Sequence, residues 1–170
     1  MHDPFPPQRS PDGRIEVRFM AFEARMSHWI LEPVVIRTRD GKSVLSLDGT
    51  EWDGGGIPPS FPQPGRVELH LRHYPDGQNV HDLVVDIEAE RCWLSSSEED
   101  SRRAADALEL LKPAFERQVH ASAHRYLLQG LCPHCKARLY LGWLQRLRGV
   151  RRVRCEVCER AWTLPKGVRL

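Results

Sequence analysis

Apolar and polar residues alternate along much of the first half of this 170-residue chain, which is the pattern of strands with one buried face. From this alternation or from β-branched content, five segments are predicted as strands: residues 14–22, 28–38, 43–47, 66–74 and 81–89. Turn residues such as Asp40-Gly41 separate them. Pro33 indicates an edge position or a bulge, because proline has no N–H to donate. The segments predict an antiparallel β-meander with one solvated face.

A helical pattern follows the strands. Ser95 and Glu98 have the spacing of a capping box, and apolar residues then recur three or four positions apart through residues 104–127. This stripe is expected to lie across the dry face of the sheet. Pro113 interrupts it, so a kink or two consecutive helices are expected there. Gly130 is a natural helix stop.

These elements predict three parts of the chain. Residues 1–12 are polar and rich in proline, and they are predicted to be a disordered lead. Residues 13–129 are predicted as an α+β domain, in which an antiparallel β-meander is covered by a kinked C-terminal helix. Residues 130–170 form a separate module that is too short to build a stable core alone, so it needs another source of stability.

Four cysteines can supply that stability. Cys132 and Cys135 form one C-x2-C pair, Cys155 and Cys158 form another, and 19 residues separate the two pairs. Each pair can bend into a knuckle that points two sulfurs at one spot, and a hairpin can bring the knuckles together. Residues 131–164 resemble the zinc-ribbon family in this spacing. The resemblance implies one structural Zn²⁺ held by four thiolates, with no open position for water or substrate. A redox switch that forms two disulfides is the alternative.

Charge is distributed unevenly between the module and the rest of the chain. Residues 131–170 contain ten Lys and Arg against two Glu, whereas residues 1–130 contain 15 basic and 21 acidic residues. Such an asymmetry favours an anionic partner for the basic segment. The candidate contact residues are Arg146, Arg148, Arg151, Arg152 and Arg154. The sequence leaves open whether they meet nucleic acid, a protein surface that includes the chain's own acidic domain, or only solvent.

A long loop between two predicted hairpins is a second candidate binding segment. Residues 53–65 are so rich in proline and glycine that regular structure is excluded. Long loops on a rigid sheet often carry function, and Trp52 and Phe61 are the side chains most suited to contact a partner there. The alternatives are a passive crossover between hairpins and an arrangement in which Trp29 and Trp52 anchor the core or flank the loop.

The sequence predicts a binding protein rather than an enzyme. It contains no phosphate-cradling glycine loop, nucleophile elbow or catalytic triad, and no small-molecule substrate is evident. The expected function is a non-enzymatic bacterial adaptor that binds a protein partner. The alternatives are a nucleic-acid-associated factor whose basic ribbon docks on DNA or RNA, and an immunity-type protein that neutralises a toxin. Neither a membrane span nor a secretory signal is recognised, so we expect a cytoplasmic location and no membrane partner.

Overall fold

The fold combines antiparallel sheets with one helix. The computed structural model of the chain describes residues 5–25, 28–74, 79–140 and 151–166. Within these ranges it contains eleven strands, one α-helix and short 3-10 turns. The chain divides into two compact units, Met1–Ala114 and Phe115–Leu170, which we call the first unit and the second unit. The sequence-based domain ranges, 13–129 and 130–170, stay a prediction.

The first unit contains a four-stranded sheet in the order β1-β2-β3-β4. Its strands are β1 (Gln8–Arg9), β2 (Ile15–Arg25), β3 (His28–Arg37) and β4 (Lys42–Ser46). β2 and β3 form a long hairpin, whereas β4 pairs with β3 only from Val34 to Arg37. Of the two expectations for Pro33, the edge position is wrong, because β3 lies between β2 and β4, whereas the β3–β4 pairing does shift register close by, between Val35 and Ile36. Pro33 is tolerated there because it precedes Val34, the first residue of β3 that pairs with β4. Its carbonyl still accepts the Leu47 N–H at 3.0 Å.

The second sheet of the first unit has five antiparallel strands in the order β5-β6-β7-β8-β9. These are β5 (Trp52–Asp53), β6 (Arg66–His73), β7 (His81–Asp86), β8 (Arg91–Leu94) and β9 (Arg102–Arg103). The predicted hairpin of residues 66–74 and 81–89 is confirmed by the pairing of β6 with β7. Alternate residues of β6 are buried, as expected for a sheet with one dry face, whereas three consecutive residues of β7, Leu83, Val84 and Val85, are buried. The core side chains include Ile15, Val17, Leu45, Val67, Leu69, Leu71, Leu83, Val85 and Ile87.

Two boundaries differ from the sequence-based expectation. Residues 8 and 9, placed in the disordered lead 1–12, instead form β1, which pairs with Val17 and Glu16 of β2. The helix α1 (Leu108–Leu128) begins well after Ser95, so Ser95 does not cap it. Residues of the intervening stretch are held at the sheet edge, since β9 pairs with β8 and the Ala104 N–H bonds the Glu90 carbonyl at 2.8 Å. Such tertiary bonds override a local capping signal.

The helix α1 is shared between the two units. Pro113 lies inside it, and the helix is kinked as predicted. Leu111 and Ala114 are buried in the first unit, while Val119 and Leu127 are buried in the second. That the helix covers the sheet stays a prediction.

A buried carboxylate organises the turn between β4 and β5. Glu32 is fully buried in β3, and its oxygens accept backbone N–H bonds from Gly49 at 2.6 Å, Thr50 at 2.9 Å and Glu51 at 2.5 Å. Burial of a charge is costly unless hydrogen bonds satisfy it. The three amides do so, and they tie the turn to the middle of the first sheet.

Candidate metal centre

The second unit begins with the last part of α1 and a sharp turn after it. Gly130 has a φ of +72°. Its N–H bonds the Leu127 carbonyl at 3.1 Å, and the Leu131 N–H bonds the Tyr126 carbonyl at 3.0 Å. This is a Schellman motif, which requires the left-handed conformation that glycine adopts without steric cost. The predicted helix stop at Gly130 is confirmed, and Cys132 follows this turn two residues later.

Two knuckles with the same backbone geometry carry the four cysteines. In each, the first cysteine donates its N–H to the carbonyl five residues later and accepts the N–H four residues later. These bonds are Cys132 N–H to Ala137 O (2.8 Å), Lys136 N–H to Cys132 O (2.9 Å), Cys155 N–H to Arg160 O (2.9 Å) and Glu159 N–H to Cys155 O (2.9 Å). The two C-x2-C segments therefore form equivalent turns although their other residues differ.

Antiparallel pairing closes both knuckles at equivalent positions. Leu131 forms a bridge with Arg138 across the first knuckle. Across the second, β10 (Arg152–Arg154) pairs with β11 (Ala161–Thr163), and Arg154 lies opposite Ala161. Each bridge joins the residue before the first cysteine to the third residue after the second cysteine. The pairing fixes the two ends of each turn and holds its sulfurs on one side.

The residue after each second cysteine adopts a left-handed backbone conformation. Lys136 has a φ of +59° and Glu159 a φ of +60°. Residues other than glycine pay roughly 1–2 kcal/mol for this conformation. The left-handed conformation of Lys136 and Glu159 could not be predicted from the sequence, because glycine usually marks such positions and neither residue is glycine. The four-residue turn nevertheless requires the conformation at both places.

The four sulfurs meet at one point. All four Sγ atoms lie within 4.8 Å of one another. The shortest separations join the two knuckles, with Cys132 Sγ 3.6 Å from Cys158 Sγ and Cys135 Sγ 3.5 Å from Cys155 Sγ. Metal–sulfur bonds of about 2.3 Å in a tetrahedron place neighbouring sulfurs about 3.8 Å apart. The sulfur spacing thus fits four ligands around a single ion, and all four thiols are free of disulfides.

Amide hydrogen bonds and burial act in opposite directions on these thiols. Burial raises the pKa of Cys135 and of Cys158. At Cys155 burial also raises the pKa, but hydrogen bonds from the backbone of Cys158 and Val157 and from neighbouring thiols outweigh it, so the pKa falls to about 7. Such amide bonds stabilise a thiolate and support ligation of a cation.

The last part of α1 holds both knuckles through polar and aromatic contacts. Glu116 forms a two-pronged ion pair with Arg160, with both N–O distances 2.5 Å. The other contacts are Lys136 Nζ over the Tyr126 ring (3.8 Å to its centroid), Phe115 against His134 (centroids 5.6 Å apart) and His120 against Trp162 (5.6 Å). The helix after Pro113 is therefore part of the cysteine-bearing unit, which the sequence pattern did not indicate.

The candidate arginines differ in their surroundings. Arg151 donates to the Leu164 carbonyl, and Arg154 pairs with Glu159 at 2.9 Å. Arg152 lies opposite Thr163 and is exposed, on the same outward face of the β10–β11 hairpin as Arg154. Val153 between them is buried. Arg146 and Arg148 lie outside the described residues.

The Trp52 side chain is not accessible to a partner. Its side chain is 1% exposed in β5 and contacts the His73 and His81 rings edge-on. Phe61 is half-buried. The glycines of this loop permit close packing, since a Cβ added at Gly55 would lie 2.5 Å from Leu31 Cδ1. A binding role for the Trp52 side chain is therefore wrong, because the indole completes the core of the first unit.

Exposed apolar side chains lie instead near the end of the β2–β3 hairpin. Met20 is 47% exposed, Phe22 39% and Trp29 48%. They lie beyond the part of β3 that pairs with β4. The alternation of β2 could not reveal this exposure, because a strand that continues past its sheet has the same pattern as one that is covered.

Comparisons with protein-family models, with curated proteins and with solved structures find no match for this chain. Within the described residues, no helix combines the length and the apolar character that a membrane span requires.

The left-handed residues of the knuckles make a testable prediction. Glu159→Gly should stabilise the metal-loaded protein by about 0.5–1 kcal/mol, because glycine removes the strain at φ +60°. Glu156→Gly in the same knuckle, where φ is not positive, should destabilise it. Urea unfolding at a fixed metal concentration measures both changes. Equal destabilisation by the two variants would contradict this account of the turn.

Proposed function

We propose that Cys132, Cys135, Cys155 and Cys158 hold one structural Zn²⁺ and that the second unit is a zinc ribbon. Four sulfur donors, tetrahedral spacing and amide bonds to the thiolates all suit zinc. Four thiolates fill the coordination sphere, so the ion crosslinks the two knuckles and leaves no position for a substrate. Its role in this proposal is to stabilise a small unit, and the function depends on the surfaces of the protein.

The function that we propose is a non-enzymatic adaptor that binds a protein partner. The observation that supports it is the exposure of Met20, Phe22 and Trp29 near the end of the β2–β3 hairpin. Phe22 lies opposite Ile30 and Trp29 opposite Glu23, so Met20 and Phe22 lie on one face of the hairpin and Trp29 on the other. Large exposed apolar side chains often mark an interaction site. Tryptophan, phenylalanine and methionine are also enriched in protein interfaces. The hairpin end is the surface that we assign to the partner.

Docking of the ribbon on nucleic acid is the second candidate function. It is favoured by the outward face of β10 and β11, where Arg152 and Arg154 are exposed beside the small side chains of Ala161 and Thr163. Arginines on such a flat face can reach phosphates. The ion pair of Arg154 with Glu159 is exposed on both sides, so it contributes little stability and can be exchanged for another anion.

The zinc proposal predicts one ion per chain, measured by elemental analysis of the purified protein. Cys155→Ser should lose the ion, whereas Cys92→Ser should keep it, because Cys92 is buried in the first unit with a pKa raised by burial to about 11. Since structural zinc contributes on the order of 10–16 kcal/mol to folding, chelation should abolish amide protection in residues 115–166. Protection in the first unit should remain. Full protection of the metal-free second unit would contradict the proposal.

The adaptor proposal predicts that partner capture depends on the hairpin end. A tagged Phe22→Ser/Trp29→Ser variant should lose proteins that the unmodified chain captures from its native cells, measured by quantitative mass spectrometry. Val80→Ser is the matched control, because Val80 is an exposed apolar residue elsewhere in the first unit (40% exposed), and it should keep them. Identical protein sets for all three chains would contradict the adaptor role.

The nucleic-acid candidate predicts salt-dependent binding to a random-sequence oligonucleotide. Arg152→Glu should weaken binding about tenfold and reduce the logarithmic salt dependence by about 1. Arg102→Glu, which changes an exposed arginine of the first unit, should have a smaller effect. Fluorescence anisotropy at several salt concentrations measures both. Absence of binding at low salt would remove this candidate.

A further inference from the structure

The first unit contains a cavity that neither the metal centre nor the hairpin end explains. It has a volume of about 410 Å³ and lies beside β2. Its lining contains the apolar residues Phe5, Phe19 and Met20 and the charged residues Arg9, Glu16 and Arg18. Since successive residues of β2 alternate between faces, the cavity lies at the edge of this strand. Ligand sites in proteins are typically about 300–1,000 Å³ and combine apolar walls with a few polar groups. This cavity has both properties.

Two prolines explain why the cavity exists. Within residues 5–25, β1 pairs with β2 at Gln8–Val17 and Arg9–Glu16, and the ladder stops there. The preceding residues are Pro6 and Pro7, which have no N–H to continue it. The chain therefore leaves the edge of β2 at this point, and the space between the two segments remains open. The local sequence builds the cavity, so it is not a packing defect.

The charged wall carries one excess positive charge. Glu16 is buried, and Arg9 donates to its Oε2 from Nε at 2.8 Å while Arg18 donates to its Oε1 from Nε at 2.5 Å. Hydrogen bonds from Arg9 and then from Arg18 lower the pKa of Glu16. The carboxylate is thus ionised at neutral pH and balances one of the two guanidinium groups. The second positive charge faces the cavity without an internal counterion among the described residues.

Arg18 has donors left for a ligand. A guanidinium carries N–H groups on Nε and on both Nη atoms. Among the described residues, the hydrogen bond of the Arg18 side chain is the one from Nε to Glu16, and the side chain is 58% exposed. The two Nη groups form the planar fork that binds a carboxylate through both oxygens.

We propose that this cavity binds small carboxylic acids with an aromatic or branched apolar body. The carboxylate meets the Nη groups of Arg18, and the apolar body lies among Phe5, Phe19 and Met20. The occupant is a free acid of about 10–15 non-hydrogen atoms, for which an affinity near 1 mM is expected. This site is separate from the proposed zinc ribbon, since all its residues belong to the first unit. It shares Met20 with the adaptor surface, and Phe5 contacts the Trp29 ring, so the variants that test the cavity leave Met20 and Trp29 unchanged.

The test uses the full chain, with 4-phenylbutyrate as the probe and its neutral amide, 4-phenylbutyramide, as the matched control. Titration followed by amide proton–nitrogen correlation spectra should show saturable shifts at Arg18, Phe19 and Met20, with the amide binding about tenfold more weakly. Arg18→Gln should remove the preference for the acid while the neutral amide still binds, which shows that the variant is folded. Arg102→Gln, a distant exposed arginine, should leave the preference unchanged.

Two results would overturn the proposal. The first is no saturable shift at these residues, and the second is equal affinity for the acid and the amide.

Discussion

The convergence of four cysteine sulfurs is the constraint on which the second unit depends. Two turns from distant parts of the chain point Cys132, Cys135, Cys155 and Cys158 at one place, with every Sγ within 4.8 Å of the others. Without a cation, four thiols at this distance cannot all ionise, and the opposite directions of the Cys135 and Cys155 pKa values reflect that competition. A bound divalent cation removes the conflict because it stabilises every thiolate at once. The same bonds that satisfy its charge then crosslink the unit.

Helix α1 supplies buried apolar side chains to the second unit. Among the described residues after Gly130, the buried apolar side chains other than cysteine are Leu139, Val153, Trp162 and Leu164, and α1 adds Phe115, Val119 and Leu127 to the second unit. Pro113 interrupts the hydrogen bonds of the helix close to the division between the units. The residues after Pro113 contact the knuckles through Phe115, Glu116 and Tyr126. The second unit is therefore larger than the cysteine spacing alone suggests.

The sequence predicted the features that depend on local pattern and missed those that depend on distant contacts. Alternation identified the β6–β7 hairpin because one face of each strand is fully buried. The spacing of the two C-x2-C pairs identified the four-cysteine cluster, because few other kinds of site have this spacing. The sequence left the place of Trp52 open, because a tryptophan beside a glycine-rich loop has the same local pattern whether its side chain lies in the core or on the surface. The left-handed backbone of Glu159 could not be found either, since closure of the knuckle imposes it on a residue without preference for it.

The surfaces of the first unit support a binding role for a physical reason. The exposed parts of the Met20, Phe22 and Trp29 side chains do not add to the free energy of folding, because apolar area that stays in water contributes no hydrophobic free energy. Such a surface also raises the risk of association with other chains. By contrast, the buried Glu32 shows that this fold satisfies even a costly charge in its interior. The large apolar side chains that stay partly in water at the end of the longest hairpin therefore support the proposed partner surface, because a partner that covers them would gain the hydrophobic free energy that folding leaves unused.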